Sequence, residues 1–581
     1  MQASLIDVGR GGVFPQTRRG FLEQFGLVGG SALVMSAMRS WNLMAQDAGP
    51  RPVLSGRPNG TKVIVLGAGV SGLTVCYELA KLGYNVHILE ARDRVGGVNW
   101  TLRRGATHTE IGGATQVCDF DEGLYHNGGP WRLPHWHTGV LGYCKELGVP
   151  LEVFINENES SYFYYEGNKI GPLANKRVRL REVKADMIGY TCELLAKAIN
   201  HDQLDRPLTK EDKEKFVTFL ISEGYLGRED YAYKKNTARG GGDPHNFSAL
   251  LQSGFQQRIR SVTEGAMMSP MFQPVGGMDQ FPKGFQRKIG DRITFGAEIV
   301  SIHQSNDNVK IAYENVKNGA ITQLTADYVV SCLPLTVLQK LDVNLSPQTM
   351  KAVKATTYSP SAKIGLQMKR RFWEEDDKIF GGHLYSNLPI GDLAYPSWGY
   401  FGNKGILLGF YGNGQTENLV RKPFKDRIEH VLKHASKVHP QIRTEFETAY
   451  CTFWERTPYS LGAYASGGPG PNANGGERGN NNGGGQRGSN NARGERGSDA
   501  TAGRGGPNTA AGAGGNANTP PKETMPAKER LEALGKPDNR IYLACAAVSG
   551  DGGWQEGAVG AAWKQVKALH ERVMAGRVVT G

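Results

Sequence analysis

Residues 62–97 constrain this chain most, because a strand, a glycine-rich turn, a helix, a second strand and an acid follow one another in an order that few folds accept. Residues 63–66 are an unbroken apolar run, as a central parallel strand buried on both faces requires. Gly67, Gly69 and Gly72 then keep the G-x-G-x-x-G spacing. The first permits a tight turn, the second lets the backbone approach a pyrophosphate, and the third allows the helix to pack closely on the strand. The spacing predicts a helix over 70–82, beginning at Val70 and Ser71, with its N-terminal N–H groups facing the phosphates. Gly83 ends that helix and residues 86–89 make a second strand. Glu90 stands eighteen residues after Gly72, where a carboxylate accepts ribose hydroxyls and disfavours a 2'-phosphate. The unit predicts a Rossmann-like α/β domain for an adenine dinucleotide; the alternative is a Rossmann unit that packs and binds nothing.

The residues after Glu90, Ala91-Arg92-Asp93-Arg94-Val95-Gly96-Gly97, resemble the E-x-x-x-R-x-G-G-R signature of the flavin-dependent amine oxidase family. In that family the second glycine pair approaches a bound FAD. Val98 stands where the pattern has its last arginine. Further on, Gly129-Pro130-Trp131-Arg132-Leu133-Pro134 resembles the G-P-x-R-[IL]-P segment of the L-amino-acid oxidase subfamily, whose backbone lies against the flavin and whose arginine grips the substrate carboxylate. The chemistry suits Arg132, since a planar guanidinium binds a carboxylate through two parallel hydrogen bonds; a surface arginine is the alternative. The preceding stretch, with Gly113 and Ala114, and the strand expected over 293–302, with Ile299 at the position that touches adenine, continue the resemblance.

Lys363, in Ser361-Ala362-Lys363-Ile364-Gly365-Leu366, matches the family's active-site lysine, which holds a water against flavin N5. A lysine inside an apolar strand-like run is costly unless it is hydrogen-bonded or neutral. Tyr411 matches the tyrosine that gives the carboxylate a second hydrogen bond. Residues 458–464 resemble a P-Y-S-x-G-x-Y turn and 553–558 a closing G-[WY]-x-[ED]-G-A segment, which makes Tyr464 and Trp554 the aromatic walls around the substrate amine, with Gly553 beside them. Plain core packing is the alternative for these aromatics. A helix from Gln555 would point its positive end at the flavin. Ala463 replaces the cysteine that binds FAD covalently in monoamine oxidases, so the cofactor is expected to be non-covalent. Cys545-Ala546 replaces a usual Gly-Glu or Gly-Asp near the ribityl chain.

The implied architecture is a Rossmann-like FAD domain in three pieces (60–145, 269–345 and 526–575), a mixed-sheet substrate domain (346–465) and a helix-rich insertion (146–268) that could roof the active site. Leu180, Val183, Met187, Leu194 and Leu195 recur there at roughly helical spacing. Residues 17–22 resemble a twin-arginine export signal, and the apolar segment 25–38 is too short and glycine-rich for a stable span, so residues 1–48 read as a signal engaging that export machinery, with a periplasmic or secreted product. A disordered basic extension is the alternative. Residues 466–525 are nearly all Gly, Asn, Ala, Arg, Ser and Pro and read as a disordered insert.

Composition excludes other classes. The net charge of +12 is diffuse, with no basic stripe interleaved with aromatics, which argues against nucleic-acid binding. Seven cysteines show neither C-x-x-C nor metal-ligand spacing, so no metal and no disulfide framework is expected. The reaction implied is oxidation of an L-amino acid by FAD and O2, giving a 2-oxo acid, ammonia and hydrogen peroxide; an oxidase of primary amines or polyamines and a non-catalytic exported flavoprotein are the alternatives. Activity should rise with pH, because the substrate amine must lose its proton. A homo-oligomer is compatible with everything above.

Overall fold

The computed structural model describes residues 49–58, 60–201, 208–224, 226–234, 239–257, 259, 269–412, 416, 418–466, 524–550 and 552–578. The expected export signal and nearly all of the expected disordered insert lie outside them. The strand Lys62–Leu66 is the middle of a five-stranded parallel sheet, flanked by Asn85–Glu90 and Tyr328–Ser331, with Ile293–Phe295 and Ile541–Leu543 at the edges. Its apolar run is continuous because both faces are covered. Val63 and Val65 pack with Leu73 and Leu79 of the helix Val70–Leu82 and with Val559 and Val566 of the helix Gln555–Val578. Ile64 and Leu66 face the other way, onto Ile302 and Ile311 of a four-stranded sheet. Side chains alternate across a strand, so each pair serves one face. The helix Val70–Leu82 ends at Gly83 in the left-handed region (φ 88°), whose N–H returns to the Ala80 and Leu79 carbonyls.

The expected single strand over 293–302 is two strands in different sheets. Gly296 (φ 70°) turns the chain from Ile293–Phe295 in the parallel sheet to Ala297–Gln304 in the four-stranded one. The chain changes sheet again at Asp327, between Ile321–Ala326 and Tyr328–Ser331, and the Asp327 carboxylate accepts the Lys62 N–H at 2.7 Å.

A seven-stranded sheet forms the second body. Its strand Ala362–Met368, next to the edge strand Phe446–Phe453, is buried at every residue and pairs antiparallel with that strand and with Gly405–Gly412. The strand Tyr162–Tyr164 joins this sheet through parallel pairing with His383–Ser386, so the helix-rich segment begins at Leu180 rather than at 146. The helices Leu180–Asn200 and Lys210–Gly224 then enclose a small core of Cys192, Ala196, Ile199 and Leu220. Leu180 and Val183 are buried as expected, but Leu194 is 57% exposed, because the buried stripe continues through Cys192, Ala196 and Ile199.

The seven cysteines are free. Among the described residues no group of His, Cys, Asp and Glu is disposed to hold a metal, and no helix is long and apolar enough to cross a membrane.

Candidate active site

A cavity of about 770 Å³ runs between the parallel sheet and the seven-stranded sheet, within the size range of small-molecule sites. Its first half is mostly backbone. The N-terminus of the helix Val70–Leu82 carries no side-chain cap, and Gly69, where an added Cβ would meet nothing within 4 Å, opens onto the cavity with Val70 and Ser71. Unsatisfied N–H groups at such a terminus favour an anion. Gly72 does not line the cavity; a Cβ there would lie 1.9 Å from the Gly67 carbonyl oxygen, so its role is the helix–strand approach. Gly96 and Gly97 pack on the same loop: the Gly96 N–H donates to Ala68 at 2.8 Å, and a Cβ on Gly97 would come within 3.3 Å of the Gly69 Cα.

Glu90 is buried in this half with Ala91 and Arg92 beside it. Its carboxylate accepts the backbone N–H groups of Ala68 (2.6 Å) and Arg92 (2.9 Å), and the remaining lone pairs can accept hydroxyls. The Arg92 guanidinium donates to the Pro458 carbonyl (2.5 Å) and to Ser460 Oγ (2.8 Å). Burial lowers its pKa, and the Glu90 charge opposes that shift. Ile299, Val98, Cys545 and Ala546 also line the cavity, so the positions lacking the family's arginine and acid do face it.

Gly113 and Ala114 correct the sequence expectation. The chain turns outward at Gly112 (φ 61°), and both residues are exposed in the loop between the strands Thr107–Thr109 and Thr115–Val117, off the cavity. What this segment places inside is Glu110, in a buried ion pair with Arg427 Nη1 at 2.5 Å and a second with Arg456 Nε at 3.1 Å.

The second half is assembled from side chains on distant elements. Antiparallel register sets Lys363 directly opposite Tyr411. Lys363 is 3% exposed; its Nζ donates to the Gly129 carbonyl and lies 4.9 Å from the Trp131 ring centroid and 4.7 Å from that of Tyr411. Burial, with the nearby Arg132 charge, holds the lysine well below its ordinary pKa. The segment carrying Gly129, Pro130, Trp131 and Arg132 is pinned from several sides: Trp454 Nε1 donates to Gly128 at 2.9 Å, and a Cβ on Gly129 would lie 1.8 Å from the Val98 carbonyl oxygen. Arg132 donates through Nη1 to Asn156 Oδ1 at 2.6 Å, with His383 Nε2 at 3.3 Å. Burial lowers the Arg132 pKa too, yet a guanidinium starts high enough to stay charged.

Tyr464, Gly553, Trp554 and Gln555 complete the wall. A Cβ on Gly553 would be 3.4 Å from the Tyr464 ring, and Trp554 meets the His137 ring edge-on at 4.9 Å. Glu556 accepts the N–H groups of Gly139 (2.8 Å) and Val140 (2.9 Å), capping the helix Thr138–Glu146 and tying the last helix to the first domain. That tie sets where Trp554 and Gln555 stand.

Sequence reading missed Asn156, His137, His383 and Asp392, all of which line the cavity. His137 follows Arg132 so closely that the segment itself could have pointed to it, whereas the other three come from stretches without a motif. No described residue of 180–268 lines the cavity, whereas the strand His383–Ser386 and the loop after it do.

The cavity fits a flavin dinucleotide. Beyond the uncapped helix and open glycine, both His137 ring nitrogens and Gln555 Oε1 are buried cavity-lining atoms without a hydrogen-bond partner among the described residues, as expected where a polar ring belongs. Residues 70–482 match the family described as flavin containing amine oxidoreductase. The chain is 28% identical over 427 residues to the L-amino acid oxidase bordonein-L of Crotalus durissus terrificus, across 71% of this chain and 77% of that protein. It is 27% identical over 430 residues to an L-amino-acid oxidase of Gloydius blomhoffii, across 71% of this chain and 80% of the relative. Among solved structures, cyclohexylamine oxidase from Brevibacterium oxydans IH-35A superposes with a TM-score of 0.54 at 15% identity, over 89% of this chain and 100% of the other. Putrescine oxidase bound to putrescine does so with a TM-score of 0.51 at 17% identity, over 89% and 99%. These two likenesses concern the fold.

Proposed function

The chain belongs to the flavin-containing amine oxidoreductase family and is an FAD-dependent oxidase; we propose that within this family it deaminates an L-amino acid to a 2-oxo acid, ammonia and hydrogen peroxide. The observation that carries the reading is the guanidinium of Arg132, held by Asn156 in a buried cavity with Tyr411 and Lys363 on adjoining strands. A planar guanidinium fixed at the wall of such a cavity can take a carboxylate through two parallel hydrogen bonds, and an α-carboxylate suits it.

In this reading Arg132 takes the carboxylate through parallel hydrogen bonds and Tyr411 donates a further one from its phenol, which burial keeps protonated. Tyr464 and Trp554 confine the amine, fixing the α C–H bond in one direction. Lys363, its pKa pushed well below the ordinary lysine value by burial and by the Arg132 charge, donates one N–H to Gly129 and is placed to hold a water. FAD, when bound, supplies the two-electron acceptor that O2 reoxidises. It would be held by the Gly67–Gly72 loop, Glu90, Arg92, Gly96, Gly97, Gly129 and Gln555, without a covalent bond through Ala463.

Steady-state peroxide release by Arg132→Ala tests the reading: kcat/KM for amino acids should fall by about two orders of magnitude or more. Unchanged turnover of amino acids would sink the clamp and favour a simple amine as substrate, and a colourless protein that fails to take up FAD would sink the oxidase altogether. Export by the twin-arginine route, read from residues 17–22 and the apolar segment after them, is part of this proposal; changing Arg18 and Arg19 to lysine should leave the protein in the cytoplasm.

A further inference from the structure

Three neutral polar side chains are buried on the cavity wall: Asn99, which follows the second glycine pair; His137, at the N-cap of the helix Thr138–Glu146; and Gln555, in the first turn of the last helix. Gln555 Nε2 donates to Asn99 Oδ1, a bond that ties the loop to the helix and commits the nitrogen end of the amide. The oxygen end, Oε1, is buried and has no hydrogen-bond partner. A buried acceptor left open is costly, so this wall is complete only with a donor that belongs to the ligand.

His137 is open in the same way at both ring nitrogens. Burial pushes its pKa down to about 3, so at neutral pH one nitrogen carries a proton and the other a lone pair. Two indoles fix the ring: Trp136 stacks on it at 4.8 Å with the planes 7° apart, and Trp554 meets it edge-on at 4.9 Å. Trp554 also precedes Gln555 in the chain, so imidazole and amide both adjoin one aromatic residue. The pyrimidine edge of a flavin alternates carbonyl, N3–H and carbonyl. A fixed acceptor and a fixed donor match that edge, whereas a ribityl hydroxyl can turn to give or to take and needs neither. Val98 and Ala546, on the same lining, add no charge, so neutral hydrogen bonds are what these side chains offer the ring.

We propose that Gln555 and His137, unpartnered on the wall beside Trp554, read the edge of the flavin: Gln555 Oε1, held by Asn99, accepts the ring N3–H, and the His137 N–H donates to a ring carbonyl. Asn99 is a positioning residue, acting through the amide it holds. This rests on the flavin and is independent of the substrate. A donor aimed at a ring carbonyl is worth more when the ring gains negative charge on reduction, so His137 also raises the reduction potential of the bound flavin.

Binding of FAD and of 3-methyl-FAD, whose N3 carries no hydrogen, to the full-length protein freed of flavin tests the amide, read by flavin fluorescence. The unmutated protein should bind FAD at least about tenfold more tightly than 3-methyl-FAD. Gln555→Ala removes the acceptor and leaves room for the methyl group, so the two affinities should come within about twofold. Should Gln555→Ala fail to fold, the comparison in the unmutated protein stands without it. Equal affinities in the unmutated protein, or an undiminished preference in Gln555→Ala, overturn the role of Oε1. His137→Phe keeps a ring on Trp136 and removes the N–H. Reduced FAD should then lose about tenfold in affinity relative to oxidised FAD, a midpoint potential about 30 mV more negative. An unchanged potential overturns the role of His137, whatever the turnover. A protein that takes up neither FAD nor 3-methyl-FAD overturns the cofactor reading with it.

Discussion

The two halves of the cavity are built on different principles. The dinucleotide half is made of backbone brought together by residues close in sequence: Gly67, Gly69, Gly72, Glu90, Gly96 and Gly97 fall within thirty-one residues, and the glycines act through the absence of a side chain. The substrate half is made of side chains, Arg132, Asn156, Lys363, His383, Asp392, Tyr411, Tyr464 and Trp554, drawn from across more than four hundred residues and aimed by strand register and buried anchors. A backbone site fails when an atom is added, and a side-chain site fails when an atom or a charge is removed.

The largest effect should come from adding atoms to the first half. Gly72→Val sets a branched side chain where even a Cβ would be 1.9 Å from the Gly67 carbonyl oxygen; the protein should lose FAD absorbance and more than about 3 kcal/mol of stability, read by denaturant titration, whereas a coloured, stable variant would break the comparison.

Acid should strike the second half. His126, His137 and His383 are buried in or behind it, and burial pushes each down to about 3, with the Lys363 charge adding to the shift of His126 and those of Arg132 and Lys363 to that of His383. An unfolded histidine binds a proton below about 6.5 and these three do not, so the unfolded state gains protons as pH falls from 6.5 towards 3 and stability is lost across that window. Between pH 7.5 and 5.5 the three together should cost about 4 kcal/mol, measured as a fall in unfolding free energy. A flat profile over that interval would show that the rings take up protons in the fold.

Arg132→Ala, with its loss of about two orders of magnitude in kcat/KM, should leave FAD affinity within severalfold, since the dinucleotide half keeps its own contacts. Lys363→Met, which keeps the bulk and removes the donor to Gly129, should lower kcat by roughly 30-fold while leaving the rise of activity with pH, which belongs to the substrate amine, in place. The smallest effect belongs to Ala114→Lys. That position is exposed and off the cavity, so FAD affinity should stay within twofold, and a larger loss would return this loop to the cofactor site.

The glycine loop, the helix Val70–Leu82 and Glu90 were legible in the sequence because each requirement is met by neighbours in the chain. The division of residues 293–304 at Gly296 was not, since an apolar run reads alike whether it serves one sheet or two. The helical insertion was legible as helices, but nothing in its period of 3.6 said which body they would cover. Arg132, Lys363 and Tyr411 could be singled out by their motifs, yet their meeting depends on the pairing of Ala362–Met368 with Gly405–Gly412.

By itself, then, the sequence determined the Rossmann-like unit, its glycine-dependent turns and the family to which the chain belongs, because these are written in local spacing and steric allowance. Only the tertiary structure decided that Gly113 and Ala114 stand outside the cavity, that His137, Asn156 and His383 stand inside it, and that Gln555 is fastened to Asn99. The physical reason is one of range: a left-handed turn is settled by the residue that makes it, whereas the polar lining of a buried cavity is settled by whichever distant side chains the packing brings there.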